Sequence, residues 1–189
     1  MDRSLIHLGH SLGAGVSALL LCLLRDDLVQ EFGPSFQCTS VNFATVPVLC
    51  AKASKPFEGY IENYVNQHDI VPKLSYGAVM DFKALMSKAA ALNKIKTMTK
   101  EERIQKLKEF ERQLSIDNIH PRLVIPGQIY YLYRKERVKG GPRKPPYVVE
   151  KSNPEFFDHV HMRFDTFWYH MPWKYDNGMK RAIEDLSRL

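Results

Sequence analysis

The sequence predicts an α/β fold built on a mainly parallel sheet flanked by helices. Two observations indicate this fold. Short segments rich in β-branched residues alternate with longer segments rich in Leu, Ala and charged residues, and they follow in the order strand, helix, strand, connection, strand. A chain of 189 residues is long enough to bury one core, so we expect residues 1–189 to form a single domain.

The first strands and the first helix lie in the N-terminal third of the chain. We expect strands over residues 4–8, 39–46 and 60–66, where β-branched and aromatic residues are frequent and turn residues follow. Residues 12–24 are rich in Leu and Ala and predict a buried helix that ends where charged residues begin at Arg25.

The middle of the chain has a helical composition. Residues 81–116 predict two helices with a break near residues 97–99, because Thr99 and Glu102 have the spacing of a capping box. Apolar residues of the second helix recur at helical spacing, and we expect them to pack on the core. They are Ile104, Leu107, Phe110 and Leu114.

A basic hairpin and a terminal helix complete the predicted elements. Residues 123–125 and 128–138 predict strands, residues 139–142 a glycine-rich turn, and residues 147–150 a returning strand. Residues 176–189 predict an amphipathic closing helix. The basic residues near the hairpin tip are Arg134, Lys135, Arg137, Lys139, Arg143 and Lys144.

Basic residues outnumber acidic ones by 27 to 21, which gives a net charge of +6. A basic surface favours anionic partners such as nucleic acid or anionic lipid. Solubility alone is also a sufficient explanation for a net charge of this size. Because the chain has no recognised nucleic-acid-binding motif, we do not expect a nucleic-acid partner.

The cysteines and the N-terminal segment indicate a cytoplasmic protein. Cys22, Cys38 and Cys50 lack metal-ligand or redox spacing, so we expect reduced and mostly buried thiols. The apolar run at residues 14–24 is too short to span a bilayer. We therefore expect neither an export signal nor a transmembrane segment.

Gly9, Ser11 and Gly13 form a G-x-S-x-G pattern between a predicted strand and a predicted helix. Such a turn forces strained backbone angles at the serine, and the glycines are expected to let strand and helix approach closely. The helix directs its positive end at the reacting centre, where the backbone amide of Leu12 is expected to stabilise an oxyanion. We expect Ser11 to be a nucleophile.

A serine nucleophile needs a base, and the base needs a carboxylate that orients it. Asp69 follows the predicted strand at residues 60–66 and lies in a loop at its carboxyl end, where the sites of α/β proteins assemble. His159, His161 and His170 could each supply the base, and residue type alone does not choose among them.

The segment that contains these histidines could instead form a metal site. His159, His161 and Asp165 have side chains that bind zinc. No cysteine partner and no HExxH pattern accompany them, so we expect no metal and no cofactor.

The sequence resembles the class 3 lipases and, within them, the diacylglycerol lipases. The resemblance extends from Leu5 to about residue 186, with residues 83–118 as a helical insertion, and it implies a partial α/β-hydrolase fold. It is carried by five segments: LIHLGHSLGAG, VNFATVPV, YVNQHDIVPKLS, IPGQIYYLYR and FDTFWYHMPWKY.

This resemblance implies a catalytic triad of Ser11, Asp69 and His170. His170 is matched by the proline that follows it two residues later, while Tyr169 stands where the family pattern has Asp. The implied reaction is cleavage of a fatty-acyl ester of a diacylglycerol or triacylglycerol. The implied setting is peripheral contact with a membrane or lipid droplet surface.

Members of this family have further strands, an oxyanion loop and a lid ahead of the nucleophile. This sequence starts one predicted strand before Ser11. We therefore expect it to be part of a longer lipase, and to be weakly active or inactive by itself. The alternative is a non-catalytic lipase-like module that serves interaction or regulation.

Overall fold

The computed structural model describes residues 4–136, 145–160 and 163–187. In this part of the chain, five strands form one sheet in the order β1-β2-β3-β4-β5. The first four strands are parallel, and β5 is antiparallel to β4. The strands are β1 (Ser4–His10), β2 (Gln37–Phe43), β3 (Ile61–Asn66), β4 (Gln128–Arg134) and β5 (Tyr147–Ser152).

Helices connect and flank these strands. Short 3-10 turns lie at Lys55–Phe57, Val71–Lys73 and Pro154–Phe157. The predicted α/β class, with a mainly parallel sheet flanked by helices, is confirmed. The helices are α1 (Leu12–Phe32), α2 (Ala51–Ser54), α3 (Tyr76–Asn93), α4 (Lys100–Asp117), α5 (Thr166–Tyr169) and α6 (Pro172–Leu186).

One core lies between α1 and the first strands. Ala18 and Leu21 of α1 are buried against Cys38 of β2 and Ile61 of β3. This packing fixes the position of α1 beneath the sheet and therefore the position of the β1–α1 turn at its start.

A second core lies between α6 and the last strands. Leu132 of β4, Tyr147 of β5 and Ala182 of α6 are buried together. Gly178 permits the close approach, since a Cβ atom there would lie 2.8 Å from Leu132 Cδ2. The C-terminal helix is thereby held against β4 and β5.

Helices α3 and α4 pack mainly against each other. The predicted capping box is present, with Thr99 Oγ1 accepting from the Glu102 amide and the Glu102 carboxylate accepting from the Thr99 amide. No residue of α4 is buried. Its apolar residues face α3 and solvent, so the prediction that they pack on the core was wrong. Helix α3 begins at Tyr76, capped by Ser75, five residues before the predicted helical segment at 81–116.

Several predicted boundaries were wrong. Helix α1 continues to Phe32 rather than ending at residue 24, since charged residues extend a helix readily where it faces solvent. Residues 123–125 form only an isolated bridge between Val124 and Leu49 instead of a strand. Helix α6 starts at Pro172, four residues before the predicted start.

Part of the basic hairpin is observed. Strand β4 ends at Arg134 and β5 returns from Tyr147, paired antiparallel as predicted. Residues 137–144, with Arg137, Lys139, Arg143 and Lys144 of the predicted tip, lie outside the described residues.

The thiols are less buried than expected. All three cysteines are free, but only Cys38 is buried, whereas Cys22 is half-buried and Cys50 is exposed. Within the described ranges, no helix is long and apolar enough to cross a membrane.

Candidate active site

Ser11 lies in the turn between β1 and α1, at the carboxyl end of the sheet. Its φ of 60° and ψ of −127° are strained for a non-glycine residue. The Ser11 amide donates to the Phe43 carbonyl oxygen at 3.0 Å, which ties the turn to the end of β2. The Ser11 side chain makes no capping hydrogen bond to α1, so the helix does not use the hydroxyl.

The glycines around Ser11 have different roles from those the sequence predicted. A Cβ atom on Gly9 would lie 2.4 Å from Ala14 Cα, so the close approach of strand and helix requires glycine there. Gly13 has open space around it, and the expectation of a tight contact there was wrong. The second close approach is at Gly15, where a Cβ atom would lie 2.8 Å from Val46 Cγ1.

Leu12 is the first residue of α1. The first amides of a helix have no acceptor within the helix and carry its positive end. The Leu12 amide, directly after Ser11, is therefore a donor that α1 itself does not use.

Asp69 lies in the turn that follows β3 and is fully buried. Its Oδ1 accepts from the Val71 amide at 2.9 Å, and its Oδ2 accepts from the Tyr175 hydroxyl at 2.6 Å. The ammonium of Lys73, which is also buried, acts electrostatically on this carboxylate. Burial lowers the pKa of Lys73, while the Asp69 charge opposes that change.

His170 lies directly before α6 and contacts Asp69 through one ring nitrogen. Nδ1 is 3.1 Å from Asp69 Oδ1 and 3.2 Å from Oδ2, and the side chain is 18% exposed. A carboxylate only accepts, so Nδ1 is the donor in this pair. In the neutral imidazole, Nε2 then has a free lone pair and can accept a proton.

His10 connects the nucleophile turn to His170. Its Nε2 lies 2.9 Å from the His170 carbonyl oxygen, and the two imidazole centroids are 4.9 Å apart. Because a carbonyl oxygen accepts, His10 Nε2 is the donor. Burial lowers the pKa of His10, so the imidazole beside Ser11 stays neutral at neutral pH.

The structure therefore separates the three histidines that the sequence left open. His170 contacts Asp69, whereas His159 lines a different cleft, near Arg122 and Asp158. His161 lies outside the described residues. Among the described residues, no group of three His, Cys, Asp or Glu side chains could hold a metal ion.

Two residues of this cluster were missed by sequence reasoning. Tyr175 donates to Asp69 and Lys73 acts on it electrostatically, but sequence reasoning gave neither residue a role. The available signal was position, since Lys73 lies in the quoted segment that contains Asp69 and Tyr175 ends the one that contains His170.

An open apolar cleft of about 370 Å³ lies beside the His10 ring. Its walls come from the end of β2 and from the first turns of α6, so it adjoins both the nucleophile turn and His170. The lining residues are His10, Phe43, Pro172, Tyr175, Asp176 and Met179.

Comparisons with known proteins leave the family of this chain open. No protein-family model matches the sequence, and no curated protein matches it. Among the solved structures similar to it is the crystal structure of M37 lipase, with 14% sequence identity and a TM-score of 0.47. The match covers 96% of this chain and 48% of the lipase, so the chain spans about half the length of that protein.

Proposed function

We propose that the chain carries the catalytic residues of a serine hydrolase. Ser11 is the nucleophile, His170 the general base and Asp69 the acid that orients His170. The observation that carries this proposal is the contact of buried Asp69 with His170 Nδ1, next to a strained serine turn. A carboxylate, an imidazole and an alcohol at one sheet edge form the combination that acyl transfer requires.

The reaction proceeds by two acyl transfers. His170 Nε2 takes the Ser11 proton as Oγ bonds to the ester carbonyl carbon, and the Leu12 amide donates to the resulting oxyanion. The intermediate collapses, the C–O bond of the ester breaks, and the leaving alcohol takes the proton from His170. Water then attacks the acyl-enzyme by the same route and releases the fatty acid.

The substrate we propose is a fatty-acyl ester of a glycerolipid. The apolar cleft beside His10 suits an acyl chain, and the sequence resembles lipases that cleave diacylglycerol. Exposed aromatic side chains near His170 suit the surface of a membrane or lipid droplet, because Trp and Phe favour that interface. They include Phe164, Phe167, Trp168 and Trp173.

The test is hydrolysis of diacylglycerol in mixed micelles, compared with a water-soluble acetate ester. Because the chain by itself is expected to be weakly active, we expect weak fatty-acid release from diacylglycerol that Ser11→Ala abolishes, and still slower hydrolysis of the acetate ester. Thr45→Ala is a control that removes a buried hydroxyl elsewhere, one bonded to Asn63. Equal rates for wild type and Ser11→Ala would contradict the proposal and favour a non-catalytic interaction module.

A further inference from the structure

Tyr175 is the one side chain besides His170 that hydrogen-bonds to the Asp69 carboxylate in the described residues. It lies on α6 and is buried. Its hydroxyl donates to Asp69 Oδ2 at 2.6 Å and accepts from the Asn66 amide at 3.1 Å. The phenol is thus held between the end of β3 and the acid, with both hydrogen-bonding functions in use.

The protonation of Tyr175 is fixed by its surroundings. Burial and the Asp69 charge raise the pKa of the phenol well above its ordinary value. Tyr175 therefore remains a hydrogen-bond donor to Asp69 at every pH at which the protein would work.

We propose that Tyr175 is a positioning residue that holds the Asp69 carboxylate in place and withdraws part of its negative charge from His170. This inference rests on the proposed function and deepens it. A donor to Oδ2 stops the carboxylate from rotating away from Nδ1. The same donor takes up part of the carboxylate's negative charge, so Asp69 attracts the His170 Nδ1–H group less strongly than a carboxylate without that donor.

The ring of Tyr175 has a separate packing role. Its centroid lies 5.9 Å from that of Phe43 and 5.8 Å from that of His10, both edge-on. Tyr175→Phe keeps these ring contacts and removes only the hydroxyl. The other titratable groups that face the pair, His10 and Lys73, are unchanged in this variant.

The experiment compares Tyr175→Phe with Tyr147→Phe in the full chain. Tyr147 is a matched control because it is also buried and its hydroxyl accepts from Gln67 Nε2 at 2.7 Å rather than donating to Asp69. One readout is the NMR resonance of the His170 Nδ1 proton, which needs no turnover. The other is the rate at which a fluorophosphonate labels Ser11.

We expect Tyr175→Phe to move the NMR resonance of the His170 Nδ1 proton downfield, because the full carboxylate charge then strengthens the hydrogen bond that Nδ1 donates. The labelling rate falls about tenfold, within the roughly 10²- to 10⁴-fold that a general base contributes. Tyr147→Phe leaves the resonance and the labelling rate unchanged.

The outcomes distinguish this inference from the proposed function. A His170 Nδ1 proton resonance that is the same in wild type and Tyr175→Phe, or that moves equally in both variants, would overturn the role of Tyr175. Absence of labelling in the folded wild type would instead count against the hydrolase, while the NMR resonance would still decide whether Tyr175 acts on the pair.

Discussion

The two flanks of the sheet differ in how their apolar residues are covered. On the flank formed by β4, β5 and α6, Leu132 is fully buried. On the flank formed by β1 and α1, Leu8 is 72% exposed and Leu12 is 73% exposed. We call these the closed flank and the open flank. Asp69 and His170 are held by contacts with the closed flank, whereas Ser11 belongs to the open flank.

This difference shows that the parts of the site are held to different degrees. Asp69 and His170, the proposed acid and base, are fixed by buried packing and by hydrogen bonds from Tyr175 and Val71. The Ser11 turn is held by the bond from Ser11 to Phe43, by α1 and by the bond from His10 to the His170 carbonyl oxygen. β1 is an edge strand without a charged residue or a proline, although exposed edges usually carry them.

The largest expected effect is the loss of turnover when Asp69, the proposed acid held by the closed flank, is replaced. Asp69→Asn keeps the shape but removes the charge that orients and stabilises protonated His170, so we expect turnover to fall by about 10⁴. Asp26→Asn, at an exposed carboxylate paired with Arg25, is the control and leaves turnover unchanged. Initial rates of ester hydrolysis measure both. A loss below tenfold in Asp69→Asn would show that His170 does not depend on Asp69.

Truncating one leucine on each flank tests the comparison directly. Leu132→Ala opens a cavity in a packed core and is expected to cost about 2–5 kcal/mol in free energy of unfolding. Leu8→Ala removes atoms that are already in water and is expected to cost less than about 0.5 kcal/mol. Urea unfolding of both variants provides the measurement. Similar losses would mean that the open flank is covered in solution.

Two glycines of the open flank provide a matched pair. Gly9→Ala places a Cβ atom against the backbone of Ala14 and is expected to destabilise the chain by about 1–3 kcal/mol. Gly13→Ala adds a methyl group to a helix in open space and is expected to stabilise it by up to about 1 kcal/mol. Thermal unfolding measures both effects, and we expect a lower melting temperature for Gly9→Ala than for Gly13→Ala. Equal melting temperatures would show that strand and helix are further apart than described.

The smallest expected effect concerns the pH dependence of His10, which joins the two flanks. Its folded pKa is lowered by burial, so the unfolded chain binds a proton more readily and stability is lost as pH falls below about 6.5. His10→Gln replaces the imidazole with a side chain that does not bind a proton in this pH range. We expect the wild type to lose more free energy of unfolding than the variant between pH 7.5 and pH 5. Parallel stability curves would contradict the burial of His10.

Several features of the molecule could be predicted from local patterns in the sequence. The capping box at Thr99 and Glu102 involves residues three positions apart, and the turn at Ser11 follows from one short pattern. The parallel pairing of the first strands also followed, since strands joined by helical connections run in the same direction.

Features that depend on tertiary packing were not available from the sequence. Asp69 and His170 are 101 residues apart, and residue type did not select His170 over His159. Tyr175 is part of the site only because α6 packs against β4 and β5. The open space at Gly13 and the tight contact at Gly15 likewise depend on where Val46 lies relative to α1.

The most direct test of the central claim, that Asp69 and His170 activate Ser11, is covalent labelling with a fluorophosphonate located by mass spectrometry. The account predicts modification of Ser11 that is absent in Ser11→Ala and slowed at least 10²-fold in His170→Ala. Modification at another residue, equal rates in wild type and His170→Ala, or no modification of the folded chain would contradict it.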